Sequence, residues 1–215
     1  MSRTTAGARS YHHGNLRAEL LDTAAAELSA GGAEALSLRA LARSLGVSQT
    51  APYRHFADKD ALLAALAVRG YRDLLQRLAA AGGAAGDGPP AQLAAFAHAY
   101  VDYAADNPAL FKLMFGPLLQ PPDKYPALRD VSRETLAVVQ LILQRGIDGG
   151  EFRRDDVRYL ANIAWASVHG MATLRVDAPG LFQRHVDLHR QVSIGVRTFL
   201  EGLRAPAPAL RPREA

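Results

Sequence analysis

The sequence predicts an all-α protein of about nine helices, with an N-terminal helix-turn-helix unit ahead of a larger helical domain. Three observations predict it. Every segment with a clear hydrophobic period has the helical spacing. No stretch alternates apolar and polar residues as a half-buried strand does, and no motif recurs at the period of roughly 20–50 residues that marks a repeat protein. Glycine and proline fall mostly between the periodic stretches, where they end one helix and start the next.

Taken in order, Leu16, Leu20, Ala24 and Leu28 recur every four residues, with Asn15 as the expected N-cap and Gly31-Gly32 as the stop. Ser37 caps the next helix, where Leu38, Leu41, Ala42 and Leu45 fall at i, i+3, i+4 and i+7 and Gly46 supplies a left-handed C-cap. A short helix follows. If Ser48 caps it, Pro52 stands at the fourth helical position and loses one ladder bond. If it starts a residue or two later, Pro52 loses nothing, and the bias that proline puts on Ala51 favours that late start. Asp58 opens a longer helix with Leu62, Leu63, Leu66, Leu74, Leu75 and Leu78 on one side. "GGAAGDGPP" (82–90) reads as a flexible break. Helices are then expected over about 91–106, 108–115, 126–148, 156–177 and 180–203, and "APAPALRPREA" as a disordered tail. The expected domains are 11–57, 58–204 and the tail 205–215.

Composition narrows the function. The 215 residues are 49% hydrophobic and 21% charged, enough for a sizeable core. There is no cysteine, which excludes disulfides, thiolate catalysis and thiolate-bound metals. The N-terminus lacks the apolar run of a signal peptide and no segment is long enough to span a membrane, so a soluble, cytoplasmic protein is expected. The net charge is +4, and residues 1–56 hold six arginines (3, 9, 17, 39, 43 and 54) against four carboxylates (19, 22, 27 and 34). That excess suits a nucleic-acid partner or a merely solvated face. Two short helices joined at Gly46 have the helix-turn-helix pattern, in which the second helix sets its N-terminal residues on base edges.

The run "LSLRALARSLGVSQTAPYRHFADKDALLAAL" (36–66) closely resembles the DNA-binding domain of TetR/AcrR-family transcriptional regulators. Leu41-Ala42, Leu45 to Ser48, Tyr53-Arg54-His55-Phe56 and Lys59 carry the resemblance, which extends over 11–70. "YHHGNLR" (11–17) and "WASVHGMATL" (165–174) resemble a subgroup with a C-terminal Trp-x-x-x-His-Gly motif. The resemblance implies that Ser37, Tyr53, His55 and Lys59 touch phosphates, which a helix start, hydroxyls and a lysine suit. Gln49, Thr50 and Arg54, beside Ser48, are the candidates for reading bases. Ala51 and Pro52 would pack on a thymine methyl. Val47 and Phe56 read as core, Arg39 and Arg43 as phosphate contacts or solvated, and His12-His13 as a backbone grip or a disordered start.

The resemblance also implies a homodimer built from the last two long helices. Leu181, Leu188, Val192, Val196, Phe199 and Leu203 form one apolar stripe, and Ala161, Trp165, Val168 and Ala172 another; an intrachain core is the competing reading. The central helices would enclose an effector pocket lined by Phe96, Tyr100, Tyr103, Phe111, Met114, Phe115, Trp165, His169 and Met171, against the plainer reading of these side chains as core. Gly170, mid-helix, points to a close helix approach. The expected function is a homodimeric repressor that binds a palindromic double-stranded DNA operator and is released by a small hydrophobic or amphipathic molecule. No cofactor is expected. His98/Asp102 and His185/His189 have metal-pair spacing without a third ligand in the same chain, so no metal is expected. An enzyme is the competing class, but no nucleophile elbow, phosphate loop or metal triad is present. A constitutive or protein-regulated DNA binder with a filled core is the third.

Overall fold

The computed structural model describes residues 15–182 and 186–204, without the side chains of Pro122, Leu181 and Phe182. The readings made for Arg3, Arg9, His12-His13, His185, the Leu181 side chain and the tail lie outside these residues. The helices are α1 (Leu16–Ala35), α2 (Leu38–Ser44), α3 (Lys59–Ala84), α4 (Pro89–Asp106), α5 (Pro108–Phe115), α6 (Pro126–Asp148), α7 (Val157–Asp177), α8 (Pro179–Phe182) and α9 (Leu188–Leu203). Short 3-10 turns cover Pro52–Arg54, Pro117–Leu119 and Pro122–Lys124. No strand occurs among the described residues beyond an isolated bridge between Phe152 and Arg204. The chain divides into two compact units inside α3, the first ending at Leu66 and the second beginning at Ala67.

In the first unit the leucine stripe of α1 is buried through Leu20, Leu21, Ala24 and Leu28, and meets Leu38, Leu41 and Ala42 of α2 and Phe56 in the core. Each such leucine is worth about 1.5–3 kcal/mol against exposure. Gly32 (φ 75°, ψ 176°) breaks α1 where the glycine pair predicts a stop, and a last turn closes at Ala35. Behind α2, Gly46 N–H donates to the Arg43 carbonyl (3.1 Å) and Val47 N–H to that of Ala42 (2.9 Å), with Gly46 at φ +68°. This is a Schellman cap. Asn15 and Ser37 hold N-cap positions without a side-chain cap hydrogen bond. Asp58 does cap, accepting from Ala61 N–H at 2.7 Å.

In the second unit α4 packs against α6, α7 and α9, and α6 and α9 also meet α7. Glycines let α3 come close to α4 and α5. A Cβ on Gly70 would lie 2.6 Å from Met114 Sδ, and one on Gly82 would lie 2.6 Å from the Phe96 ring. The expected break at 82–90 is therefore shorter. The helix runs through Gly82-Gly83 to Ala84, and α4 opens at Pro89, whose missing N–H costs nothing at a first helical position. The single helix expected over 180–203 is two pieces, because Asp187 caps α9 by accepting from Arg190 N–H at 2.7 Å. The apolar stripe expected at the interface lies inward. Leu188, Val192, Val196 and Leu203 are buried and Phe199 half-buried within one chain, since this face of α9 turns to α4 and α7. A Cβ on Gly170 would meet no other element of its own chain within 4 Å among the described residues, so the expected close approach is not seen there.

Candidate nucleic-acid interface and ligand cavity

The segment after Gly46 is built on proline. Ala51 N–H donates to the Ser48 carbonyl (3.0 Å), Arg54 N–H to that of Ala51 (3.2 Å), and the His55 and Phe56 N–H groups to that of Pro52 (3.0 Å each). Pro52 opens a three-residue 3-10 turn with Ala51 at the N-cap, later still than the expected late start and shorter than the expected helix, so no ladder bond is lost; Ser48 is not a cap. Pro52 and Phe56 point inward, which removes Pro52 as a thymine contact and leaves Ala51 half-buried. Anchored by these two, Ser48, Gln49, Thr50, Tyr53, Arg54 and His55 are all exposed, as is Ser37 at the start of α2. Ser48 Oγ and Thr50 Oγ1 lie 3.2 Å apart and share one hydrogen bond. Lys59 is half-buried and gives one of its donors to the Glu34 carbonyl at 2.9 Å, leaving two. Val47 is half-buried, and Arg39 and Arg43 are exposed. Arg17 stacks its guanidinium 5.3 Å from the centre of the Phe56 ring.

A cavity of about 410 Å³ lies in the second unit. That volume is in the range of small-molecule sites. Of the nine predicted liners, Phe96, Tyr100, Met114, Phe115, Trp165, His169 and Met171 face it. Two do not. Tyr103 is 1% exposed and donates its hydroxyl to the Gly70 carbonyl (2.9 Å), so it packs α4 on α3. Phe111 sits one layer back, its ring 4.8 Å from that of Phe115 and 5.4 Å from that of His169. The liners missed from sequence include Gln120, Tyr71 and Leu78 of α3, the α6 face of Ser132, Arg133, Thr135, Leu136 and Val139, and Val196 and Phe199 of α9, which were expected at the dimer interface. The i, i+3, i+4, i+7 spacing from Ser132 to Val139 was the signal available.

Polar groups on the wall form a directed chain. Trp165 Nε1–H can only donate, and it reaches the Tyr100 hydroxyl oxygen at 3.4 Å. The Tyr100 hydroxyl lies 2.8 Å from His169 Nδ1 and Thr173 Oγ1 lies 3.3 Å from His169 Nε2; in the Nε2–H tautomer Tyr100 donates to Nδ1 and Thr173 accepts from Nε2–H. Desolvation by burial lowers the His169 pKa, which keeps the ring neutral as this pattern requires, and the same effect pushes Tyr100 up. No carboxylate lines the cavity.

Behind α4, His98 and Asp102 meet His189 of α9: His98 Nδ1 is 3.2 Å from His189 Nδ1, and His189 Nε2 is 3.2 Å from Asp102 Oδ1. Among the described residues no group of three or more acidic or histidine side chains is placed to hold a metal ion. On α7, Tyr159, Ile163 and Leu174 are exposed on one face with Gly170, and Ile194 is exposed on α9.

The family model described as bacterial regulatory proteins, tetR family, matches residues 20–66, and that described as tetracyclin repressor-like, C-terminal domain, matches residues 93–199. The uncharacterized HTH-type transcriptional regulator YobS of Bacillus subtilis is 30% identical over 186 residues, covering 86% of this chain and 90% of that protein. A solved structure of a protein of unknown function from Rhodococcus sp. RHA1 is 34% identical, with a TM-score of 0.83 over 92% of this chain and 100% of the other. The TetR family transcriptional regulator PfmR of Thermus thermophilus is 26% identical, with a TM-score of 0.63 over 86% of this chain and 98% of its own.

Proposed function

This chain belongs to the TetR family of bacterial transcriptional regulators, and from that premise we propose that it is a homodimeric repressor of a palindromic operator, relieved by a small hydrophobic or amphipathic molecule. One observation carries the DNA reading. Seven of the eight residues expected at DNA are exposed in the first unit, six of them along one short segment seated on buried Pro52 and Phe56. Gln49, Thr50 and Arg54 read bases, and Ser37, Tyr53, His55 and Lys59 hold phosphates.

Dimerisation uses the outward face of α7 and α9, around Ile163, Gly170, Leu174 and Ile194, in place of the buried stripe. Gly170 admits a partner helix where its own chain offers none. The effector occupies the 410 Å³ cavity. Helix α3 is continuous from Lys59, beside the phosphate contacts, to Ala84, and its Tyr71 and Leu78 line that cavity. An occupant that favours one setting of Tyr71 and Leu78 therefore shifts α3, and two heads moved off the ~34 Å half-site spacing lose affinity. The ligand acts only through its differential affinity for the two settings. The Trp165-x-x-x-His169-Gly170 motif fits this reading, since Trp165 and His169 line the cavity and Gly170 lies on the face turned away from the chain. No helix among the described residues is long and apolar enough to cross a membrane, and we place the regulator in the cytoplasm with its DNA.

The test is selection of duplexes from a random pool. The expected product is an inverted repeat whose half-sites are one helical turn apart and whose affinity falls steeply with salt. Enrichment of no sequence, or of single half-sites only, refutes the proposal.

A further inference from the structure

From the hydrogen-bond accounting of the cavity, we propose that its ligand is a carboxylic acid with an apolar body, whose carboxylate is taken by Arg133 with help from Gln120. This rests on the reading of the cavity as the effector site and names the class of effector.

Nearly every donor on the wall is spent inside the protein. Tyr71 O–H goes to the Met114 carbonyl (3.4 Å), and the Trp165, Tyr100 and His169 donors go to one another and to Thr173. The hydroxyls of Ser132, Thr135 and Ser167 donate to the carbonyls of Arg129, Val131 and Ile163, at 2.9 Å each. What remains is the guanidinium of Arg133 and the side-chain amide of Gln120. Both line the cavity, both are exposed, and neither side chain makes a hydrogen bond or ion pair among the described residues. An aromatic and aliphatic wall without free donors binds an apolar body. A lone guanidinium with no carboxylate in the lining leaves an uncompensated positive charge beside it. Its planar fork takes a carboxylate in two parallel hydrogen bonds, which a neutral or cationic group does not match.

The chain's sole tryptophan, Trp165, lines the cavity, so its fluorescence reports occupancy without DNA. The full chain is titrated with dodecanoate and with 2-naphthylacetate, each beside its methyl ester. Each acid is expected to bind about tenfold or more tightly than its ester, the order of one charge-assisted hydrogen bond. Arg133→Gln is expected to remove that preference by weakening the acid far more than the ester, and an unchanged helical circular dichroism spectrum shows that the variant is folded. Arg133→Lys retains part of it. Acid and ester binding equally well to the unsubstituted chain overturns the proposal and leaves the effector site standing. A preference that survives Arg133→Gln overturns the assignment to Arg133. If no member of either pair alters the fluorescence or the melting temperature, both the proposal and the effector reading of the cavity fall.

Discussion

At the scale of single residues, Pro52 shows how far the sequence could be read. A proline in a helix-turn-helix reader is tolerable only at the start of the turn, and it stands there as the first 3-10 residue. What spacing could not tell was its direction: the side chain is buried, so the exposed surface narrows to Gln49, Thr50, Tyr53, Arg54 and His55. The two roles proposed there separate experimentally. Arg54→Ala is expected to cost about 1–3 kcal/mol on the selected operator and to relax preference at one position. Tyr53→Ala is expected to weaken all sequences alike and leave the preferred operator unchanged. Competition binding to the operator and its single-base variants distinguishes them. His169 carries a different prediction. Its pKa is lowered by burial, so below about 6.5 the unfolded chain binds the proton first. Stability is unaffected above that pH and declines as pH falls toward the folded value, with no further loss below it. Thermal melts of the wild type and His169→Gln at a series of pH values are expected to diverge only below about pH 6.5. Parallel curves would show that burial in the fold does not lower the His169 pKa.

At the scale of elements, helix ends with a covalent or steric cause were legible and those set by packing were not. Gly46 was readable because only a left-handed residue closes α2 while satisfying the Ala42 and Arg43 carbonyls. Gly46→Ala is expected to cost about 1–2 kcal/mol in urea unfolding for the Cβ forced into φ +68°. There is open space around that position, so strain and not collision is the cause. A change below about 0.5 kcal/mol would mean that the cap relaxes. The 82–90 stretch misleads because glycine has two uses. Gly82 looks like a linker residue, yet it sits in α3 against the Phe96 ring. Gly82→Ala therefore strikes the cavity wall, and it should disturb Trp165 fluorescence as well as lower stability. The stretch 180–203 has one helical period throughout, and only the Asp187 cap, easily passed over between apolar residues, marks where α9 begins.

At the scale of the whole molecule, the apolar stripe of α9 illustrates why assembly is harder to read than fold. Periodicity reveals that a face is buried but not what buries it, and Leu188, Val192 and Val196 are covered by their own chain. The outward face was less conspicuous in sequence because it mixes large and small residues: Tyr159, Ile163, Gly170 and Leu174 follow one another along one side of α7, with Ile163 53% and Leu174 47% exposed. Single exposed apolar side chains are ordinary, but a row of them beside a glycine with open space is what a helix partner needs. Ile163→Asp and Val192→Asp therefore make a discriminating pair. The first places a charge on the proposed interface at a site already solvated in the monomer. It is expected to yield a helical monomer in sedimentation that binds a half-site normally and loses about 10²–10⁴-fold on the palindrome, because the second head no longer profits from the first. The second buries an unpaired charge in the core and is expected to unfold the domain. If Ile163→Asp stays dimeric with full palindrome affinity, the partner packs elsewhere. Two heads joined by a different face would then have to meet the same one-turn spacing by another route.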